Sequence, residues 1–175
     1  FKAVGADAYY SPRRQGAGFM NLPGAVQTPA YLTQTDGVSR PKIELGELND
    51  GTLNLAFVLH NRSNAAQTYA LSQTVLVDQY RKVGDRYDNL VKSRALTDDE
   101  YDVVSCDGAD ADGMVTVDAG KSKTIKLTLR VSDDLMEEYR TAFVNGFFLD
   151  GFVFLTDPAG ENVTLSIPFM GFVGD

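Results

Sequence analysis

Cysteine is almost absent from this chain, and histidine with it: Cys106 and His60 are the single representatives of their types among 175 residues. One cysteine excludes an internal disulfide, and one histidine beside it excludes the Cys/His clusters that hold zinc. Cys106 reads as an idle thiol, and cysteine scarcity is compatible with an extracellular home. Tryptophan is missing altogether. No window approaches the roughly 18 to 20 consecutive apolar residues of a membrane-spanning helix. A basic-then-apolar leader is also missing, and the chain opens on Phe1 rather than Met. On this reading it is an excised piece whose targeting signal lay elsewhere. Positive charge is in deficit: 16 Lys and Arg against 24 Asp and Glu give a formal charge of -8. Such a surface repels phosphate backbones and anionic lipid, so neither nucleic acid nor membrane is expected as a partner.

What is present is ordinary globular material, 43% hydrophobic and 23% charged, at a length that suits a single core. From residue 43 onward the periodicity is that of strands. Leu53, Leu55, Phe57 and Leu59 alternate with Asn54, Ala56 and Val58, which puts them on one face because successive side chains of a strand point to opposite sides. The alternation returns in Tyr69-Leu71 with Val75-Val77, in Val115-Val117, in Ile125-Leu127-Leu129-Val131 and in Val163-Leu165-Ile167-Phe169. Turn chemistry separates these runs at Asn49-Asp50-Gly51, at Val117 to Lys121 (a hairpin or a tight connection) and at Asp157 to Asn162. Six to eight such segments without βα alternation predict an antiparallel sandwich. Ser132 to Arg140, with a capping serine and acids in the first turn, predicts one or two turns of helix.

The first 30 residues differ. Pro12, Gly16, Gly18, Pro23, Gly24 and Pro29 break any long element, so the segment is expected to pack as an irregular appendage, with a short helix opening near Phe19-Met20-Asn21-Leu22. Thr28 to Arg40 reads as a passage from one domain into the next.

Candidate chemistry is sparse. Gly16-Ala17-Gly18 lacks the third glycine and the βαβ setting of a dinucleotide loop. The acids of Cys106-Asp107-Gly108-Ala109-Asp110-Ala111-Asp112-Gly113 read as a solvated turn, because the loop lacks the length and terminal Glu of a calcium-binding loop. His60 reads as a surface or turn histidine at a strand end. Asn61-Arg62-Ser63 and Asn162-Val163-Thr164 match the glycosylation tripeptide and are taken as structural. Phe147 to Leu149 either fill the core or face a neighbouring domain. The expectation is no catalytic residue, no metal and no cofactor.

Specific stretches carry a resemblance. Ser11-Pro12-Arg13-Arg14-Gln15, followed by Gly16, Gly18, Phe19, Met20, Asn21 and Ala25, resembles the segment that closes the catalytic domain of multi-domain subtilisin-like cell-envelope serine peptidases of the lactocepin and complement-cleaving type. Ile43 to Asn61 with His60-Asn61-Arg62-Ser63 and Thr68-Tyr69, then Asp150-Gly151-Phe152-Val153-Phe154 and Ile167 to Asp175, resemble strands of the first fibronectin type III-like domain that follows. Residues 77 to 113 offer no distinctive match. The resemblance implies an all-β, antiparallel fibronectin type III-like sandwich at 31–175, preceded at 1–30 by a remnant of the catalytic domain and a linker, with one short helix. It implies an accessory module without its own catalytic triad, whose partners are the upstream catalytic domain, downstream domains of the same chain and the parent enzyme's protein substrates, at the bacterial cell surface or wall. The alternative is a stand-alone adhesion or ligand-binding sandwich. The absence of Trp and the strand-like placement of the aromatics favour the scaffold.

Overall fold

The computed structural model describes residues 9–16, 21–35 and 40–174. The short helices α1 (Pro12–Gln15) and α2 (Leu22–Gln27) precede ten strands: β1 (Ala30–Gln34), β2 (Ile43–Glu47), β3 (Thr52–Asn61), β4 (Gln67–Val83), β5 (Arg86–Ala95), β6 (Tyr101–Asp107), β7 (Met114–Val117), β8 (Ser122–Val131), β9 (Phe147–Thr156) and β10 (Leu165–Val173). Helix α3 (Asp133–Ala142) lies between β8 and β9. One sheet has the order β1-β3-β8-β6, and the other β2-β10-β9-β4-β5 with β7 also on β4.

The predicted alternation becomes the core. Leu53, Leu55, Phe57 and Leu59 of β3 and Ile125, Leu127, Leu129 and Val131 of β8 are buried. From the other sheet, Tyr69, Val75, Val115, Leu149, Val153, Ile167 and Phe169 join the same apolar cluster. Each such aliphatic or phenylalanine side chain withdrawn from water contributes roughly 1.5–3 kcal/mol. The predicted helix forms as α3, with the Ser132 hydroxyl accepting the Leu135 N–H and with Leu135, Met136, Tyr139 and Ala142 buried.

Other expectations are corrected, or resolved between the readings left open. The passage from Thr28 contains strand β1, which pairs antiparallel with β3 from Ala30↔Asn61 to Gln34↔Phe57. Strand β2 pairs in parallel with β10, so the six-stranded sheet is mixed rather than purely antiparallel. Val117 to Lys121 is a tight connection and not a hairpin, since it carries the chain from β7 in one sheet to β8 in the other. Strand β10 begins at Leu165 rather than Val163. Phe147 and Leu149 are buried in the core and do not form an exposed patch for a neighbouring domain. In the appendage, α2 starts at Leu22 with Asn21 as its cap. Gly18, Phe19 and Met20 lie outside the described residues. Strands β5 and β6 fall within residues 77 to 113, the stretch without a distinctive match to the resembled family. Their connection is closed by Arg94, whose guanidinium forks onto Glu100 at 2.7 and 2.7 Å. That contact, first among its causes, draws the Glu100 carboxyl down to about 2.

The Asn61 side chain ties a corner of the sandwich. It is 4% exposed. Its Nδ2 donates to the carbonyls of Ala65 (2.7 Å), Asp118 (3.0 Å) and Val117 (3.2 Å), and its Oδ1 accepts from the N–H (2.9 Å) and O–H (2.8 Å) of Ser63. The amide is therefore closed to glycosyl transfer in the folded state. Asn61→Ala strands these partners at a cost of about 2–3 kcal/mol. The urea midpoint measures it, and a loss under about 0.5 kcal/mol, as at an ordinary surface site, contradicts the assignment.

Candidate functional site

The residues singled out in the sequence do not assemble into a reactive centre. His60, half-buried in β3, has Nδ1 2.8 Å from the Ser122 hydroxyl and Nε2 2.8 Å from the Thr33 hydroxyl. Its ring stacks on Tyr31 with centroids 4.6 Å apart. A histidine next to a serine invites comparison with a nucleophile and its base, but that chemistry needs an acid on the far ring nitrogen, where His60 meets a threonine hydroxyl. The imidazole instead bridges β1, β3 and β8. Cys106 in β6 has its thiol pushed up, chiefly by burial, which is the opposite of an activated thiolate. In the acidic loop, the Asp110 carboxylate accepts the backbone N–H groups of Asp112 (3.0 Å) and Met114 (2.8 Å), the pattern of a capped turn. Asp107, Asp110 and Asp112 are not gathered into a metal-binding group among the described residues.

The site with unusual chemistry lies on the outer face of the six-stranded sheet. Strand β9 is apolar on both sides: Phe147, Leu149, Val153 and Leu155 join the core, while Phe148, Phe152 and Phe154 alternate with them onto the outer side. A strand of this kind needs cover on both faces. Residues 9–16 supply cover outside, with the Tyr9 ring 5.9 Å from that of Phe152 and 5.2 Å from that of Phe154.

Between those aromatics sits Asp150, with no exposed surface. Helix α1 is built to reach it. Ser11 is its cap, accepting the Arg13 N–H at 3.2 Å. Pro12 fits the first turn, where no amide hydrogen is required, and Gly16 at φ +59° ends it. The Ser11 hydroxyl contacts Asp150 Oδ2, and Arg13 Nε donates to the same oxygen at 2.8 Å. The other end of the guanidinium pairs with Asp78 Oδ1, and its face lies 4.1 Å from the centre of the Phe148 ring. Asp78 Oδ2 accepts the Phe148 N–H at 3.1 Å. It stands where the β4–β5 register shifts, just past the last β4–β9 pair, Val77↔Leu149. A bulge of this kind re-aims a side chain.

One cation is thus shared by two carboxylates. Burial, the largest influence, pushes the Asp150 carboxyl above its ordinary value, and Asp78 adds to the rise while Arg13 and Ser11 oppose it. Burial works against the charge of Arg13, yet its bonds to Asp150 and Asp78 prevail and raise its pKa. Sequence reasoning quoted Ser11, Arg13 and Asp150 only as parts of a resemblance and did not join them. The available signal was Asp150 itself, an acid inside the apolar run Phe147 to Leu155, which calls for a buried partner.

The model of the family described as Fn3-like domain matches residues 43–170. The chain belongs to the Fn3-like domain family. A C5a peptidase of Streptococcus pyogenes serotype M3 is 32% identical to the Fn3-like chain over 172 residues, covering 96% of this chain and 13% of that protein. A PII-type proteinase of Lactococcus lactis subsp. cremoris is 29% identical over 174 residues, covering 94% of this chain and 8% of that protein. At that coverage the similarity takes in residues before the sandwich as well, in agreement with the resemblance to cell-envelope subtilisin-like peptidases. The chain spans only 13% and 8% of these relatives' own lengths. Among solved structures, a PapD-like domain of human CEP192 superposes with a TM-score of 0.46 at 10% identity over 90% of this chain and 89% of that one, too loosely to bear on function. This region is an Fn3-like domain, not a catalytic one.

Proposed function

We propose that this Fn3-like domain is a non-catalytic accessory module of a secreted, cell-surface subtilisin-like serine endopeptidase, placed directly after the catalytic domain, and that the catalytic triad belongs to that preceding domain. There it braces and spaces the catalytic domain and helps shape the approach of protein substrates. The observation that carries this reading is the docking of residues 9–16, whose sequence resembles the end of such a catalytic domain, onto the outer face of the six-stranded sheet. A flexible connection lets neighbouring domains pivot. A connection held by a guanidinium between two carboxylates, with an aromatic ring packed beside it, passes position from one domain to the next.

The reading frame upstream of Phe1 is expected to encode the Asp, His and Ser contexts of a subtilase. In that intact protein, Arg13→Ala lowers the catalytic domain's unfolding midpoint and reduces turnover of protein substrates more than turnover of a short peptide, while His60→Ala leaves that ratio unchanged. A frame without the three contexts defeats the peptidase reading. An Arg13→Ala enzyme with unaltered stability and substrate ratio defeats the bracing role.

A further inference from the structure

The anchor of residues 9–16 has an imbalance that a rigid fastening does not need. Both donors that reach Asp150, the Ser11 hydroxyl and Arg13 Nε, converge on Oδ2. Oδ1 is buried and has no hydrogen-bond partner among the described residues. The guanidinium that faces Asp150 is also claimed by Asp78, which takes the Phe148 N–H in addition. With both carboxylates ionised, one guanidinium faces two negative charges among the described residues, and half of the Asp150 charge rests on a buried oxygen.

We propose that Asp150 is a proton-binding latch: residues 9–16 dock most tightly when Asp150 is a neutral carboxylic acid, so their attachment to the sandwich is governed by pH. A proton on Oδ2 is passed toward the Ser11 oxygen, while a remaining lone pair of Oδ2 still accepts from Arg13. Oδ1 then becomes a neutral carbonyl oxygen, far less costly to leave unpaired than half a carboxylate. Arg13 is left with Asp78 as its single counter-charge.

The charged groups facing Asp150 among the described residues are Arg13 from α1 and Asp78 from β4. Its β-ladder neighbours, Leu76 in β4 and Met170 in β10, carry no charge. The direction of the Asp150 shift agrees, with burial first among its causes. A carboxyl whose pKa is higher docked than undocked binds its proton more tightly docked. Docking is therefore strongest below the ordinary aspartate range and weakens as pH rises through the raised value. Each unit of difference is a tenfold change in the docking equilibrium. The inference concerns this chain's own segment and stands apart from the peptidase reading.

The test is an NMR titration of the Asp150 side-chain carboxyl in the full chain from acid to neutral pH, with hydrogen exchange of the Arg13 to Gly16 amides followed across the same range and corrected for intrinsic rates. Asp150 is expected to titrate above the ordinary aspartate range, with protection falling over the same interval by tenfold for each unit of elevation. Asp150→Asn, which resembles the neutral acid in shape, keeps the protection and abolishes its pH dependence, whereas Asp78→Asn, which removes the excess negative charge, lowers the protection in acid and flattens its fall toward neutral pH. Titration at or below the ordinary range overturns the proposal. So does an Asp150→Asn chain whose segment is released at every pH, because the carboxylate itself would then be the docking group.

Discussion

Gly151→Ala is expected to destabilise the fold severely, by more than an ordinary core substitution. Gly151 lies in the middle of β9, hydrogen-bonded between β4 and β10, in register with Val75 on one side and Phe169 on the other. Its φ is +157°, and a Cβ built there falls 2.0 Å from the Thr74 carbonyl oxygen and 2.7 Å from Phe169 Cζ. Thr74 O is backbone and Phe169 is 1% exposed, so neither can withdraw without opening the ladder or displacing the core. Overpacking of an ordinary core site costs about 1–3 kcal/mol. A methyl driven into a backbone carbonyl in a central strand exceeds that, at about 4 kcal/mol or more. Against a total stability on the order of 5–15 kcal/mol, this is enough to deplete the folded state. Soluble yield and the thermal midpoint read the effect. A variant that melts within a few degrees of the parent shows that β9 can shift to accept the methyl, contrary to the close approach described here. The same glycine explains how β9 carries Phe148, Asp150 and Phe152 on its outer side while the Phe169 ring crosses its inner side.

The second large effect is at Arg13. Arg13→Ala removes the counter-charge of Asp78 and Asp150 and uncovers the face of Phe148. Breaking a fully buried pair by deleting one partner costs about 3–5 kcal/mol. The Arg13 side chain is 22% exposed, so screening by water reduces the figure to about 2–3 kcal/mol. The loss depends on pH. Without Arg13 the Asp150 carboxyl moves further above its ordinary value, and a group whose folded pKa is raised contributes stability that is lost as pH rises through that value. The gap between wild type and Arg13→Ala thus widens toward neutral pH and narrows in acid. Urea unfolding at two pH values on either side of the Asp150 titration measures it. A gap that is constant with pH, or wider in acid, shows that Asp150 is not the group left uncompensated.

Much of the architecture was written in local pattern. The four-residue alternation of β3 and its counterpart in β8 specify an inner face because side chains alternate with a period of two, and both strands have that face buried. Ser132 announces α3 for an equally local reason, since a hydroxyl at that position satisfies an amide the helix leaves unpaired. Strands β5 and β6 were not legible. Their side chains are largely half-buried or exposed, so burial imposes no alternation on them. Strand β1 was hidden for a related reason: it is short and lies at the sheet edge, where it gains strand character from pairing with β3 rather than from its own composition.

The sequence by itself determined the sandwich, its inner faces, the α3 cap and, through the resemblance, the family. It also determined that Asp150 is an acid in an apolar run, a fact about composition that demands a partner without naming one. Only the tertiary structure decided which partner. Arg13 and Asp150 are separated by most of the chain, and nothing periodic links positions so far apart. Their meeting follows from the closing of the mixed sheet, the bulge that turns Asp78 outward and the capped turn that delivers Arg13. Each of these fixes geometry in three dimensions, and the electrostatic coupling between one guanidinium and two carboxylates exists only once that geometry has formed.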